Sequence, residues 1–226
     1  MASRVVKRGV FEEVEDQEND LRLFSEIQST LSRANSERSM ANPAAVGLGA
    51  FGATTLLLQF HNLGFIGTGA VMWMAFFFGG LAQLVAGFQE FRTGNSFGFA
   101  AFTTYGAFWI ALGGIWLNSQ LGFAPISSID VGWFLVVFTL LTGIYFIGSL
   151  KQNSALAWVF LTLLIGFILL DIGHLVPGAE IFNKIAGVEL IACALIAWYL
   201  MAHVILTPLK INLPAGKAWI RPGARI

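Results

Sequence analysis

Between residues 43 and 207 the chain alternates long apolar runs with short polar or Gly/Pro-bearing breaks. The breaks are His61-Asn62-Leu63-Gly64, Glu90 to Asn95, Asn118 to Ser128, Lys151-Gln152-Asn153, and Pro177 to Lys184. They leave six segments at approximately 44–61, 66–90, 97–118, 130–150, 154–176 and 184–207. A helix that crosses a bilayer needs roughly 20 mostly apolar residues, and each segment approaches or exceeds that. Trp73 to Gly80 and Val131 to Leu141 are continuously apolar. A membrane β-barrel would instead alternate over strands of about ten residues. The pattern predicts an all-α integral membrane protein with six transmembrane helices.

The two ends are different. Residues 1–42 are polar, with Leu21, Phe24, Ile27 and Leu31 at helical spacing. That segment reads as an amphipathic helix on a membrane surface or as a disordered tail. Residues 208–226 form a short basic tail.

Composition agrees with the apolar pattern. Of 226 residues, 56% are hydrophobic and 12% charged, against about 25% charged in a soluble domain. The formal net charge of zero hides an uneven distribution. Residues 1–42 hold 6 basic and 8 acidic side chains, and residues 208–226 hold 4 basic ones. Lys and Arg mark the cytoplasmic side of a membrane protein. With six spans both ends lie on one side, which collects 12 of these residues, against Lys184 alone on the other. Both termini are therefore expected in the cytoplasm, and the protein in the cell membrane. No secretory signal is expected, because residues 1–42 lack an apolar h-region. The lone Cys193 excludes an intrachain disulfide.

Polar groups inside the spans are costly unless they pair or line a wet path. They concentrate in the first three spans: Thr54, Thr55, Gln59, Gln83, Glu90, Thr103 and Thr104. No catalytic motif such as HExxH, CxxC or GxSxG is present. The chain is thus not expected to be an enzyme, and no cofactor, metal or nucleic-acid partner is expected. His61, His174 and His203 lie near span ends, where interfacial placement is the default reading. No Arg falls within a span interior. A path lined by hydroxyls, amides and aromatics suits a small, weakly hydrated or protonatable solute.

Several stretches together resemble a known family. Asn42-Pro43-Ala44-Ala45-Val46-Gly47-Leu48 is similar to the NPAPLGL signature of the acetate uptake transporter family, which includes bacterial succinate–acetate permeases. Ala45 and Val46 stand where the signature has Pro and Leu. The likeness continues through Phe51 to Thr55, His61 to Gly64, Gly79 to Gln83, Ala86 to Gly98 and Ala101 to Trp109. It thins in later spans and ends weakly at Ala197-Trp198-Tyr199. The resemblance implies a homo-hexamer of six-helix protomers. It implies a pathway in each for acetate and related small monocarboxylates, with succinate in view, acting as a channel or a proton-coupled permease. It also implies a hydrophobic constriction. By motif position the constriction falls on Phe51 and Tyr105, with Leu163 in the fifth span and Leu164 as its alternative. Thr54, Thr55, Gln83 and Thr104 are candidate substrate contacts, with helix packing as the competing role.

Asn42-Pro43 reads as a helix cap followed by Pro at the first helical position. The free N–H groups there favour a carboxylate, so Asn42 joins the candidate binding residues. Glu90 is either a proton-exchanging group or a structural partner of Arg92 or of a helix end. Other readings of the sequence are a pore for a neutral solute such as urea or ammonia, or a membrane sensor or scaffold acting through residues 1–42.

Overall fold

A computed structural model describes residues 19–31 and 41–220 of the chain. It divides into two units, residues 1–41 and 42–226. In the first, residues 19–31 form helix α1, with Leu21, Phe24, Ile27 and Leu31 all exposed. The readings of residues 1–18, 32–40 and 221–226 lie outside the described residues.

The second unit carries six apolar helices long enough to cross a membrane: α2 (Ala44–Asn62), α3 (Thr68–Thr93), α4 (Ser96–Leu121), α5 (Ser128–Ser149), α6 (Ser154–Leu175) and α7 (Ile181–Leu206). Each coincides with an expected span. The differences lie at the ends, where local chemistry terminates the helices. Gly94, at φ 79°, adopts the left-handed conformation that closes α3, which glycine takes without steric cost. Asn95 then starts α4, its side chain accepting a hydrogen bond from the Gly98 N–H at 3.1 Å. Ser127 and Asp130 form a reciprocal capping box on α5, and Asn153 caps α6 through the Leu156 N–H.

Ala75 to Ala82 within α3 is wound as a π-helix. That stretch contains Gly79 and Gly80, and its wider turn sets Gly79 directly against α2. A Cβ on Gly79 would stand 2.6 Å from the Thr54 Oγ1. Gly106 on α4 meets backbone rather than side chain, since its Cβ would lie 2.8 Å from the Leu84 N. Small residues at these crossings let helices approach closely where lipid offers little hydrophobic drive.

The helices form a ring. α2 packs on α3 and α7, α4 on α3, α6 on α7, and α5 on α6. α4 and α5 close it with little backbone contact. Aromatic side chains fill that seam: the Phe108 ring lies 5.5 Å from Phe134 and 4.8 Å from Phe138. Large apolar side chains such as Trp73, Phe77, Trp133 and Leu140 are exposed on the outside.

After α7, the 3-10 turn Thr207–Leu209 leads into a strap, residues 210–220. The strap crosses the start of α6. Ala155 N donates to Ala215 O at 2.9 Å, Ile220 N donates to Leu150 O at 3.0 Å, and Trp219 packs edge-on against Trp158.

Candidate functional site

Two cavities lie within the helix ring. The first, of about 240 Å³, is at the face carrying the start of α2 and the strap, and is lined there by Asn95, Gln152, Asn153 and His203. The second, of about 150 Å³, is at the opposite face and is lined by Thr55, Gln59, His61, Asn62, Trp116 and His174. Phe51, Tyr105 and Leu163 are the residues that line both. All three are buried, and the Phe51 and Tyr105 rings meet edge-on at 5.9 Å. Among the described residues no Lys, Arg, Asp or Glu lines either cavity.

The Tyr105 hydroxyl is not a free donor. Thr142 Oγ1 has one hydrogen, which goes to the Phe138 carbonyl at 2.6 Å. Thr142 must therefore accept from the Tyr105 O–H at 2.7 Å. The neighbouring pair obeys the same logic. Tyr145 donates its hydroxyl hydrogen to Ala100 O at 3.1 Å and so accepts from Thr104 Oγ1 at 2.8 Å. Both bonds tie α4 to α5. A hydroxyl carries only one donor, so these chains fix the Tyr105 ring and leave neither hydroxyl proton for a ligand.

The candidate contacts divide accordingly. Thr55 lines the second cavity and Gln83 the first, and Thr55 Oγ1 and Gln83 Oε1 are buried without a hydrogen-bond partner. Thr54 lines neither; its unpartnered hydroxyl sits against Gly79. Thr104 is held by Tyr145 and also lines neither. Asn42 is exposed, accepts from Ala44 N at 3.0 Å and stays outside both cavities. Glu90 is buried. Its Oε2 accepts from Asn95 Nδ2 at 2.8 Å, while the Thr93 hydroxyl donates to the Glu90 backbone carbonyl at 2.9 Å, so its link to the first cavity runs through Asn95 rather than Arg92. Its Oε1 has no partner.

Sequence reasoning missed several lining residues. Trp109 lines the second cavity, and its buried indole N–H has no acceptor. Phe97, Phe160, Phe108 and Phe167 supply apolar walls, but aromatics at helical spacing carry no signal distinguishing a cavity from a core. The three histidines sit in the last turns of α2, α6 and α7, near the span ends as expected. They also line the cavities, His203 the first and His61 and His174 the second.

Comparisons with known proteins agree with this architecture. Residues 25–215 match the model of the GPR1/FUN34/yaaH family. The "Succinate-acetate/proton symporter SatP" of Escherichia coli strain K12 is 38% identical over 168 residues, covering 74% of this chain and 89% of that protein. "Acetate permease A" of Emericella nidulans is 33% identical over 193 residues, covering 77% of this chain and 64% of that protein. The solved structure of the bacterial acetate channel SatP superposes with a TM-score of 0.75 at 38% identity, covering 79% of this chain and all of that one. With six apolar helices in the same arrangement, the chain is a multi-pass membrane protein that belongs to the GPR1/FUN34/yaaH family.

Proposed function

We propose that this protein moves acetate and related small monocarboxylates, with succinate in the same class, across the membrane through the two cavities of each protomer. The observation that carries the reading is that Phe51, Tyr105 and Leu163 are common to both cavities. They form the constriction through which a solute passes from one cavity to the other. The activities for which the relatives are named, a succinate-acetate/proton symporter and an acetate permease, support the choice of solute.

The chemistry of the walls fits a small carboxylate. Apolar rings at the constriction cover a methyl group, while the free Thr55 hydroxyl on one side donates to a carboxylate oxygen and the free Gln83 Oε1 on the other accepts the O–H of the acid form. A solute that becomes neutral by taking up a proton crosses such a charge-free stretch at less cost than an anion does. The relatives are named for transport, which supports a transporter or channel rather than an enzyme.

Two further features belong to the proposal. The 12-to-1 division of Lys and Arg supports both ends in the cytoplasm. That assigns the first cavity to the cytoplasmic side. The exposed apolar exterior suits lipid, and the family resemblance carries the proposal of a homo-hexamer; chemical cross-linking in membranes should give a ladder ending at six copies.

Radiolabelled acetate uptake into proteoliposomes tests the reading. Wild-type protein should give flux above protein-free vesicles, and Phe51→Arg or Tyr105→Arg should abolish it without loss of folded protein in detergent. Protein-independent flux, or full flux in both variants, rejects it. Glu90→Gln addresses coupling: an unchanged pH dependence removes Glu90 as the proton-exchanging group.

A further inference from the structure

The chain has three histidines, and all three line the cavities. Since no Lys, Arg, Asp or Glu lines either cavity among the described residues, imidazole is the lining side chain whose two nitrogens can both donate and accept a proton. Each is also held in one orientation. His61 Nδ1 lies 3.1 Å from the Ile66 carbonyl oxygen. His203 Nδ1 contacts the Leu213 carbonyl oxygen of the strap. A carbonyl only accepts, so in both rings Nδ1 carries the hydrogen. His174 Nδ1 lies 3.0 Å from Ser128 Oγ, whose own hydrogen goes to the His174 carbonyl at 3.1 Å. Ser128 must then accept from His174 Nδ1. In every ring Nδ1 is used by the protein, and Nε2 has no partner among the described residues.

We propose that His61 and His174 at one end of the pathway, and His203 at the other, are sites where a carboxylate binds together with one proton through imidazole Nε2. An imidazolium with a carboxylate and a neutral imidazole with a carboxylic acid contain the same atoms and charge. They differ only in where one proton sits between Nε2 and a carboxylate oxygen. The end sites therefore exchange the anion for the neutral acid with no further reactant, and the charge-free constriction receives the neutral acid. In the second cavity the buried, unpartnered Thr55 hydroxyl and Trp109 indole N–H are donors for the second oxygen. In the first cavity the buried, unpartnered Gln83 Oε1 is an acceptor for the O–H of the neutral acid.

The charged groups on the elements packed around the rings are otherwise engaged or lie outside the linings. Near His61 and His174 they are Asp130, whose carboxylate accepts from Ser127, and Asp171, which accepts from Thr139 at 2.7 Å. Glu180, Lys184 and Glu189 on α7 and its approach do not line the second cavity. Near His203 the corresponding groups are Glu90, Arg92, Lys151, Lys210 and Lys217, none of which lines the first.

The inference rests on the transport reading, and the test separates the two. His→Asn keeps a donor at the position of Nδ1 and deletes Nε2. Acetate uptake is measured for wild type, His61→Asn/His174→Asn and His203→Asn, with protein-free vesicles subtracted. Each variant is expressed as a ratio to wild type at the same pH, which cancels the titration of acetate itself. The expected deficit is about tenfold at the acid end of the range and shrinks to about twofold at the alkaline end, because the site contributes a proton only where the imidazole carries one. A ratio that does not change with pH overturns the proposal at that end of the path, because a purely structural role would lower flux equally at all pH values. A second measurement needs no variant: adding acetate to weakly buffered wild-type protein near pH 7.5 should draw protons from solution, and no uptake overturns the proposal. If wild type gives no flux above vesicles at any pH, the transport reading itself fails.

Discussion

The hydrogen-bond chain behind Tyr105 makes an asymmetric expectation. Tyr105 donates to Thr142 at 2.7 Å, and Thr142 donates onward to Phe138 O at 2.6 Å. Tyr105→Phe removes one bond but leaves Thr142 with its backbone acceptor. The expected cost is that of one interhelical side-chain bond in a membrane, about 0.6 kcal/mol. Thr142→Val keeps the volume but strands the Tyr105 O–H, which is buried. A stranded buried donor costs roughly 1–3 kcal/mol. Thr142→Val should therefore be the more damaging change by about 1 kcal/mol, a factor of roughly five in the unfolding equilibrium. The double variant should show a coupling energy near 0.6 and below about 1.7 kcal/mol. Equilibrium unfolding in mixed micelles, followed by fluorescence of the 7 tryptophans, supplies all four corners of the cycle. Equal costs for the two single variants, or zero coupling, would refute the donor assignment and return the Tyr105 hydroxyl to the pathway as a free group.

Three other outcomes are expected. Gly106→Val should cost about 1–3 kcal/mol by overpacking, because its Cβ would meet the Leu84 backbone at 2.8 Å, whereas Gly114→Ala should be tolerated since nothing stands within 4 Å of that Cβ. The same unfolding assay compares them. Asn95→Ala should cost about 1 kcal/mol through the lost cap on α4, and more through Glu90, which loses its 2.8 Å donor. Asn95→Asp keeps an acceptor for Gly98 N but sets a second carboxylate beside Glu90, so its stability should improve as pH falls through the carboxylate range. Cysteines placed by Lys151→Cys and Lys184→Cys should react with membrane-impermeant maleimide from opposite sides of intact vesicles; labelling of both from one side would contradict the proposed topology.

The spans were legible because their signals are local. Apolar runs and capping residues such as Asn95, Ser127 and Asn153 place every helix to within about three residues of its observed ends. What each polar side chain faces was not legible, because successive residues on a helix point about 100° apart and sequence supplies no absolute rotation. Thr54 and Thr55 show the consequence: Thr55 lines the second cavity, while Thr54 is turned onto Gly79 of another helix. Thr104 and Tyr105 repeat it, since Thr104 is committed to Tyr145, a residue 41 positions away. Rotation is set by contacts between helices, Gly79 on Thr54 and Gly106 on Leu84, and by the α4–α5 hydrogen bonds. The histidines were harder for another reason. Their last-turn positions mark an interface equally well whether the ring meets lipid headgroups or a cavity that reaches the helix ends. A charge-free centre with imidazoles at both ends is a distribution that only the folded ring reveals, and it favours a solute able to shed its charge between the two ends.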